Sequence, residues 1–137
     1  MIVQTQTTSF KKELYYGIHN LSTDTLKIAL YNANADLNAD TTVYSTTNEI
    51  TDAGYTAGGI ALTGVTISSS GYTAYVNFNN ADFNASLSSV RCALIYNSSK
   101  ANRSIAVLDF GSDKTSADFT VVMPENTATT ALIRSSN

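Results

Sequence analysis

The stretch SVRCALIYNSSKANRSIAVLDF (residues 89–110) holds two strand-like segments joined by a polar loop. Residues 89–96 and residues 104–110 are apolar at consecutive positions over part of their length, rather than at every second one. A strand of this kind needs cover on both faces of its sheet. We therefore predict two central strands, covered on one face by a second sheet and on the other by a helix or a partner.

Most of the remaining chain alternates apolar and polar residues with a period of two, which is typical of half-buried strands. Residues 60–67 and 72–78 flank a Ser-Gly-rich turn, SSSG, and are predicted to form a hairpin. Further strands are predicted in TLKIALY (25–31), DFTVVM (118–123), TTALIRS (129–135) and, at the amino terminus, MIVQTQT (1–7).

One segment, SFKKELYYGI (residues 9–18), has helical spacing, with Phe10, Leu14 and Ile18 four residues apart and Ser9 as a candidate cap. Many short strands with one helix predict a mostly β fold, an antiparallel two-sheet sandwich that is jelly-roll-like, with one short N-terminal helix. We expect residues 1–137 to form a single domain of this kind, with residues 1–8 as a possible extended N-terminal arm.

Charge is sparse in the 137-residue chain: charged residues make up 14% and the net charge is -3, which offers no basic face for nucleic acid. We expect no signal peptide and no membrane span, because no apolar run is long enough. The single cysteine excludes a disulfide within the chain.

The loop NANADLNAD (residues 32–40) places an amide or carboxylate at every second position, as calcium loops do. A calcium loop of the EF-hand type that starts at Asn32 needs glycine at position 37 and glutamate at position 43. Leu37 and Val43 occupy those positions. We predict instead a structural loop whose short side chains bind their own backbone, with Asn32, Asn34 and Asp36 as the residues to suspect if an ion does bind.

No pattern predicts catalysis. His19, the only histidine, follows the helix and is predicted to bind its last carbonyls, and Cys92 alternates with core residues on a strand. The glycine-rich GYTAGG (54–59) lacks the lysine of a phosphate loop, and the aspartates of LDFGSDKTSAD (108–118) are expected to solvate a turn. We expect no enzyme, no catalytic residue and no cofactor.

The chain resembles a family of small virion structural proteins of tailed bacteriophages. The resemblance is carried by FKKELYYGIHNLSTDTLKIALYNANADLNADTTVY (10–44), TNEITDAGYTAGGIALTG (47–64), RCALIYN (91–97) and NRSIAVLDFGSDK (102–114), in the same order over almost the full chain. Within that family, the closest role is that of a capsid cement or decoration protein.

The resemblance implies a protein made in the bacterial host cytoplasm and placed on the capsid surface of the virion, where it bridges major capsid protein subunits. Such work needs contact surfaces rather than a cleft, and the eight tyrosines provide large contact area at low entropic cost. Because a sandwich has exposed edges, self-association as a dimer or trimer is also expected. The candidate contact residues are Ile2, Val3, Phe10, Tyr15 and Tyr44.

Two other functions remain open at this point. One is a phage tail or neck component, whose sequence would be of a similar kind. The other is a carbohydrate-binding adhesin module, in which exposed tyrosines beside acidic loops would contact sugar. A row of exposed tyrosines favours the adhesin, whereas tyrosines scattered along sheet edges favour cement.

Overall fold

The computed structural model describes residues 1–136, which form one helix and three antiparallel sheets. In chain order the elements are β1 (Thr5–Gln6), α1 (Thr8–Tyr15), β2 (Leu26–Tyr31), β3 (Ile60–Ala61), β4 (Thr66–Ser70), β5 (Thr73–Asn77), β6 (Ala81–Asp82), β7 (Leu87–Asn97), β8 (Arg103–Ser116), β9 (Thr120–Val121) and β10 (Ile133–Ser135). The predicted mostly β, antiparallel class with one short helix is confirmed.

The largest sheet has the strand order β1-β8-β7-β2-β3, so β7 lies at its centre and β8 beside it. Neighbouring residues of β7 such as Leu94 and Ile95 point to opposite faces and are both fully buried. The apolar runs at 89–96 and 104–110 therefore are inner strands, as predicted.

Two smaller sheets, β10-β5-β4 and β6-β9, contribute to the core on one face of the large sheet. Ile133 of β10, Val121 of β9 and Phe10 of α1 belong to the same apolar cluster as Ile28 and Ile95 of the large sheet. The second layer is thus divided between two small sheets and a helix. The jelly-roll-like two-sheet arrangement stays a prediction.

The opposite face of the large sheet is covered by the 32–48 segment, where a helix or partner was predicted. Ala35 and Leu37 of the Asx-rich loop pack on Cys92, Leu94 and their neighbours to form a second apolar cluster. The loop therefore covers this face of the sheet in place of a second sheet or a helix. Because both faces of β7 are covered, its residues are apolar on both faces.

The helix is shorter than predicted and begins earlier. Thr7, not Ser9, is the N-cap, and its hydroxyl accepts a hydrogen bond from the backbone N–H of Phe10 at 3.3 Å. Gly17, with φ of +73°, follows the helix end. Phe10 is buried while Leu14 stays at the surface, so only part of the predicted apolar stripe, whose residues are four positions apart, lies in the core.

The predicted strand 60–67 is two strands, β3 and β4, in different sheets. Gly64 lies between them with φ of +64°, and a Cβ there would stand 2.3 Å from the side chain of Asn79. The chain therefore changes sheets at a position where glycine is favoured, since any larger residue would need a left-handed backbone and a shift of the Asn79 side chain. The strands predicted at 118–123 and 129–135 are also shorter, as β9 and β10.

The predicted arm lies along the protein rather than away from it. Thr5 and Gln6 pair with Val107 and Ala106 of β8, and Ile2 forms a bridge to Leu37. At its start, the terminal ammonium group is 3.0 Å from a carboxylate oxygen of Asp36. The arm thereby covers part of the β8 edge.

Candidate interaction surface

The hairpin β4–β5 lies in the longest uncharged part of the chain. From residue 53 to residue 81 the sequence has no Asp, Glu, Lys, Arg or His. The two strands are joined by Gly71 and Tyr72, and Gly71 has φ of +59°, as expected at the first central position of a type II′ turn. A hairpin is present before β5, as predicted, but its first strand is residues 66–70 rather than 60–67, and the serines of the predicted SSSG turn belong to β4. The surface of the hairpin carries no charge.

A groove runs between this sheet and helix α1. Its floor is a cross-strand row of aliphatic side chains, Ile67 of β4, Val76 of β5 and Ile133 of β10, which are direct neighbours in the register. Leu14 of α1 forms part of the wall, and the groove encloses about 430 Å³. Ile67 is the outermost member of the row and is 56% exposed.

The outer side of β4 is an unpaired sheet edge. In the three-stranded order β10-β5-β4 it has a neighbour on one side only. Because Ser70 and Thr73 close a two-residue hairpin, the backbone groups of Ser70 and Ser68 bind β5, and those of Ile67 and Ser69 point outward. Within residues 1–136, no backbone partner binds these outward groups. The edge is free to accept another strand.

The five predicted contact residues have different environments. Tyr15 is 93% exposed at the end of α1, and Val3 is also exposed. Ile2 and Tyr44 are partly buried and pack on the cluster under the 32–48 segment. Phe10 is fully buried, which corrects the expectation that it is available for contact. The cap at Thr7 lies two residues before the predicted cap at Ser9, and the side chain of Phe10 packs into the apolar cluster on the large sheet.

Several tyrosines serve the interior rather than a contact surface. Tyr44 and Tyr55 donate hydrogen bonds to the two carboxylate oxygens of Glu49, at 2.6 and 2.5 Å, and the backbone N–H of Gly58 adds a third bond of 2.8 Å. Tyr96 stacks on Tyr44 and donates to the carbonyl of Gly58. Burial and then the Glu49 hydrogen bond raise the pKa of Tyr44 and Tyr55, so both hydroxyls stay protonated donors.

This buried carboxylate was not anticipated from the sequence. Glu49 is only 6% exposed, although it lies in the polar stretch TTNEI. The preceding Asn48 adopts φ of +64°, a left-handed conformation that asparagine tolerates. That turn in the backbone is the only local sign of an unusual site. Together with its donors, Glu49 ties the covering segment to the 55–58 turn.

The single histidine is also internal. His19 Nε2 lies 2.8 Å from a Glu13 oxygen, and Nδ1 lies 3.0 Å from the side-chain nitrogen of Asn97. Since Asn97 Oδ1 accepts from the N–H of Ser99, its nitrogen is the donor, and His19 therefore donates through Nε2. The predicted capping of the helix by His19 is wrong, because Glu13 and Asn97 take both ring nitrogens.

A partly buried aspartate extends the same network. Asp24 accepts hydrogen bonds from Asn97 and Lys100, both at 2.8 Å, and from the N–H of Asn20. Burial opposes its charge, but the bonds from Lys100, Asn97 and Asn20 outweigh burial and hold the pKa of Asp24 at about 2 instead of the usual 3.8. The network fastens the segment after α1 to the end of β7.

The cysteine and the aspartates of the 108–118 segment are buried or paired with other side chains of the protein. Cys92 is fully buried, as predicted, and burial raises the pKa of its thiol to about 12. Asp109 and Asp113 both face Arg91 on the neighbouring strand, at 3.7 and 3.5 Å. Asp118 lies apart from them beside β6. Among residues 1–136, no three His, Cys, Asp or Glu side chains are grouped so that they could hold a metal ion. The helix α1 is far too short to cross a membrane.

The Asx-rich loop binds itself, as predicted. The Asn32 side chain accepts a hydrogen bond from the N–H of Asn34 at 2.9 Å, and the Asn38 side chain accepts one from Asp40 at the same distance. Asp36 accepts from the side chain of Asn38. The same oxygen of Asp36, Oδ1, is therefore bound both by Asn38 within the loop and by the terminal ammonium group.

A scan against protein-family models, a search of curated proteins and a search of solved structures each gave no match to this chain. The surface of the molecule is therefore what indicates its contacts. Its most distinctive outer feature is the uncharged hairpin with its free edge and the groove beside it.

Proposed function

We propose that this protein is a structural component of a bacteriophage virion, a capsid cement or decoration protein that bridges and stabilises subunits of the major capsid protein. The observation that supports this most is the β4 edge beside the Ile67 groove, an uncharged surface with unpaired backbone groups and an exposed aliphatic side chain. Interface centres are depleted of charged residues in the same way.

The internal organisation suits a mechanical role. Cement needs a body that keeps its shape under load, and here the polar networks around Glu49 and Asp24 tie loops to strands. A jelly-roll-like sandwich is the arrangement that we propose for the two small sheets over the large one. The proposed role uses no cofactor, catalytic residue, nucleic acid or membrane, and it places the protein on the capsid surface.

Bridging would stabilise the shell by mass action. A protein that binds the assembled shell but not its separate subunits shifts the equilibrium toward the shell. Each copy needs only modest affinity, because neighbouring sites on the lattice raise its effective concentration. Self-association as a dimer or trimer would add to this effect, with symmetric axes of the shell as the natural positions.

The test compares phage heads that lack the protein with complete heads, heated side by side while DNA release is followed. We expect the deficient heads to release DNA at a lower temperature and to recover when purified protein is added back. A protein carrying a single exposed substitution in the segment that covers the opposite face of the large sheet, such as Asp40→Ala, serves as the positive control for recovery. Equal release temperatures in both kinds of head would refute the cement role.

A tail or neck component, or a carbohydrate-binding adhesin, is the alternative. Tyr15 and Tyr16 are exposed at the end of α1 and Tyr72 at the hairpin turn, so the exposed tyrosines are not in one row beside the acidic loops. This distribution favours cement over an adhesin. Copy number per particle separates the cases: hundreds are expected for a capsid protein, and a handful for a tail protein.

A further inference from the structure

We propose that the cleft between β1 and β10 binds a carboxylate group through the guanidinium group of Arg134. This inference goes beyond the proposed function, because it assigns a ligand chemistry to a part of the molecule that the capsid role does not use. The cleft encloses about 440 Å³. Ligand pockets commonly have volumes of about 300–1,000 Å³, so the cleft is large enough for a small molecule or a short piece of peptide.

Two sheet edges meet at this cleft. β1 is the outer strand of the large sheet, and β10 is the outer strand of the sheet that also holds β5 and β4. The side-chain amide of Gln6 in β1 donates a hydrogen bond of 2.8 Å to the carbonyl of Arg134 in β10. Because neighbouring side chains of a strand point to opposite faces, the side chain of Arg134 points away from the core that holds Ile133. Arg134 therefore borders the cleft, together with Gln4 and Thr73.

The charge of the cleft favours an anionic ligand. Of the residues in the 1–136 range that line it, Arg134 alone is charged. The other two arginines of the chain have acidic neighbours, since Arg91 lies beside two aspartates and Arg103 lies beside Glu13. Within residues 1–136, no carboxylate forms an ion pair with Arg134. One uncompensated positive charge complements a group with a single negative charge, such as a carboxylate.

The hydrogen-bonding groups around Arg134 fit such a group. The guanidinium group has five N–H donors, and one of them binds the carbonyl of Thr129. The side-chain oxygen of Gln4 accepts from the N–H of Asp109 at 3.1 Å, which leaves the side-chain N–H groups of Gln4 without a partner among residues 1–136. A carboxylate can accept two parallel N–H bonds from one guanidinium group, and an amide N–H can add a third.

The rest of the ligand is expected to be uncharged and to carry an N–H donor. The cleft is much larger than a carboxylate group, and its other polar side chains are amides and hydroxyls. Gln6 uses its side-chain nitrogen for the bond across the cleft, so its side-chain oxygen stays available as an acceptor. A capped glutamate residue has both features, a carboxylate and peptide N–H groups, and is therefore a suitable probe.

The test titrates two capped tripeptides into isotope-labelled protein at neutral pH, followed by nuclear magnetic resonance. One has the sequence glycine-glutamate-glycine, and the other has glutamine in place of glutamate. We expect the side-chain N–H signals of Arg134 and Gln4 to shift with the glutamate peptide at millimolar concentration. The glutamine peptide should bind about tenfold more weakly, because hydrogen bonds to a charged group are stronger than those to a neutral one. Equal binding of the two peptides, or shifts confined to other parts of the protein, would overturn the proposal.

Arg134→Gln is the informative variant, because it removes the charge and the forked donor group. It should weaken binding of the glutamate peptide by about tenfold. Lys114→Gln is the matched control, since it removes an exposed positive charge near the end of β8 that does not line the cleft. We expect it to leave binding unchanged. An equal loss in both variants would reveal an effect of net charge alone and refute the site.

Thermal unfolding of both variants checks that the fold is retained. If Arg134→Gln prevents folding, Thr73→Val removes a hydroxyl group from the cleft at nearly constant shape. This variant should weaken binding of the glutamate peptide by about threefold, as expected for one neutral hydrogen bond. Unchanged binding by Thr73→Val protein would then count against the site.

Propionate, a free acid with the same carboxylate, identifies the source of the ligand. Tighter binding of the glutamate peptide than of propionate would assign the cleft to an acidic side chain of a partner protein. Binding of propionate at least as tight as that of the peptide would assign it to a free small acid, and either result keeps the carboxylate site. The cement role is tested separately: wild-type protein that binds the glutamate peptide but not phage heads would keep this site and refute the proposed function.

Discussion

Replacing Glu49 by alanine is the sharpest test of how the covering segment is held on the large sheet. The change leaves the hydroxyls of Tyr44 and Tyr55 and the buried N–H of Gly58 without their acceptor. A buried donor left without its acceptor typically costs about 1–3 kcal/mol, so the loss of the acceptor shared by three donors should cost about 3–5 kcal/mol in total. That is a large part of the total of about 5–15 kcal/mol that stabilises a domain.

The loss is measurable by thermal unfolding at neutral pH. For a chain of this size, 1 kcal/mol corresponds to about 4 °C in melting temperature, so Glu49→Ala should melt about 12–20 °C below wild type. Glu49→Gln keeps the shape and can still accept from Gly58, while its amide donates to a tyrosine hydroxyl. Its cost should be about 1–2 kcal/mol, or about 4–8 °C.

The control is Glu125→Ala, which removes an exposed carboxylate of the same type. Substitutions at such surface positions usually change stability by less than about 0.5 kcal/mol. The expected order of melting temperatures is therefore control, then glutamine, then alanine. If Glu49→Ala melts with the control, Glu49 does not fasten this segment, and the argument from its buried hydrogen bonds is refuted.

Three further substitutions test the fold and its pH dependence. Gly59→Ala should lower the free energy of unfolding, measured by chemical denaturation, by about 3 kcal/mol or more. The reason is that its Cβ would lie 1.7 Å from the carbonyl oxygen of Ile28, on a backbone with φ of +75°. Near-wild-type stability would contradict this geometry. Asp24→Asn should lower stability by about 2 kcal/mol at pH 7. In wild type this contribution is complete above about pH 4 and is lost as the pH falls toward 2, since the folded pKa of Asp24 lies below its usual value; an unchanged acid melting curve in the variant would disprove it. Thr7→Ala should cost about 1 kcal/mol through loss of the helix cap, whereas alanine at the next residue, an exposed threonine, should be near neutral. Far-ultraviolet circular dichroism during urea unfolding measures both.

The sequence determined the elements whose pattern is local. Alternation predicted β2 and β5 with a hairpin before β5, although it placed the first strand of that hairpin at 60–67 instead of 66–70. Unbroken apolar runs predicted that β7 and β8 are inner strands. Self-bonding of the 32–40 loop followed from the same local logic, because Asn and Asp side chains reach a backbone N–H two residues away. Burial of Cys92 followed from its place on a two-sided apolar strand.

The tertiary structure alone decided how individual polar and aromatic residues are used. Glu49 is buried because hydroxyls from two other loop positions bind its carboxylate. Phe10 is buried because α1 packs against the large sheet and adds this side chain to its apolar cluster. In the same way, Ile67 is exposed only because β4 ends its sheet. Periodicity reports which face of an element a residue occupies. It carries no information on which distant segment, if any, covers that face, since this depends on pairing between residues far apart in the chain.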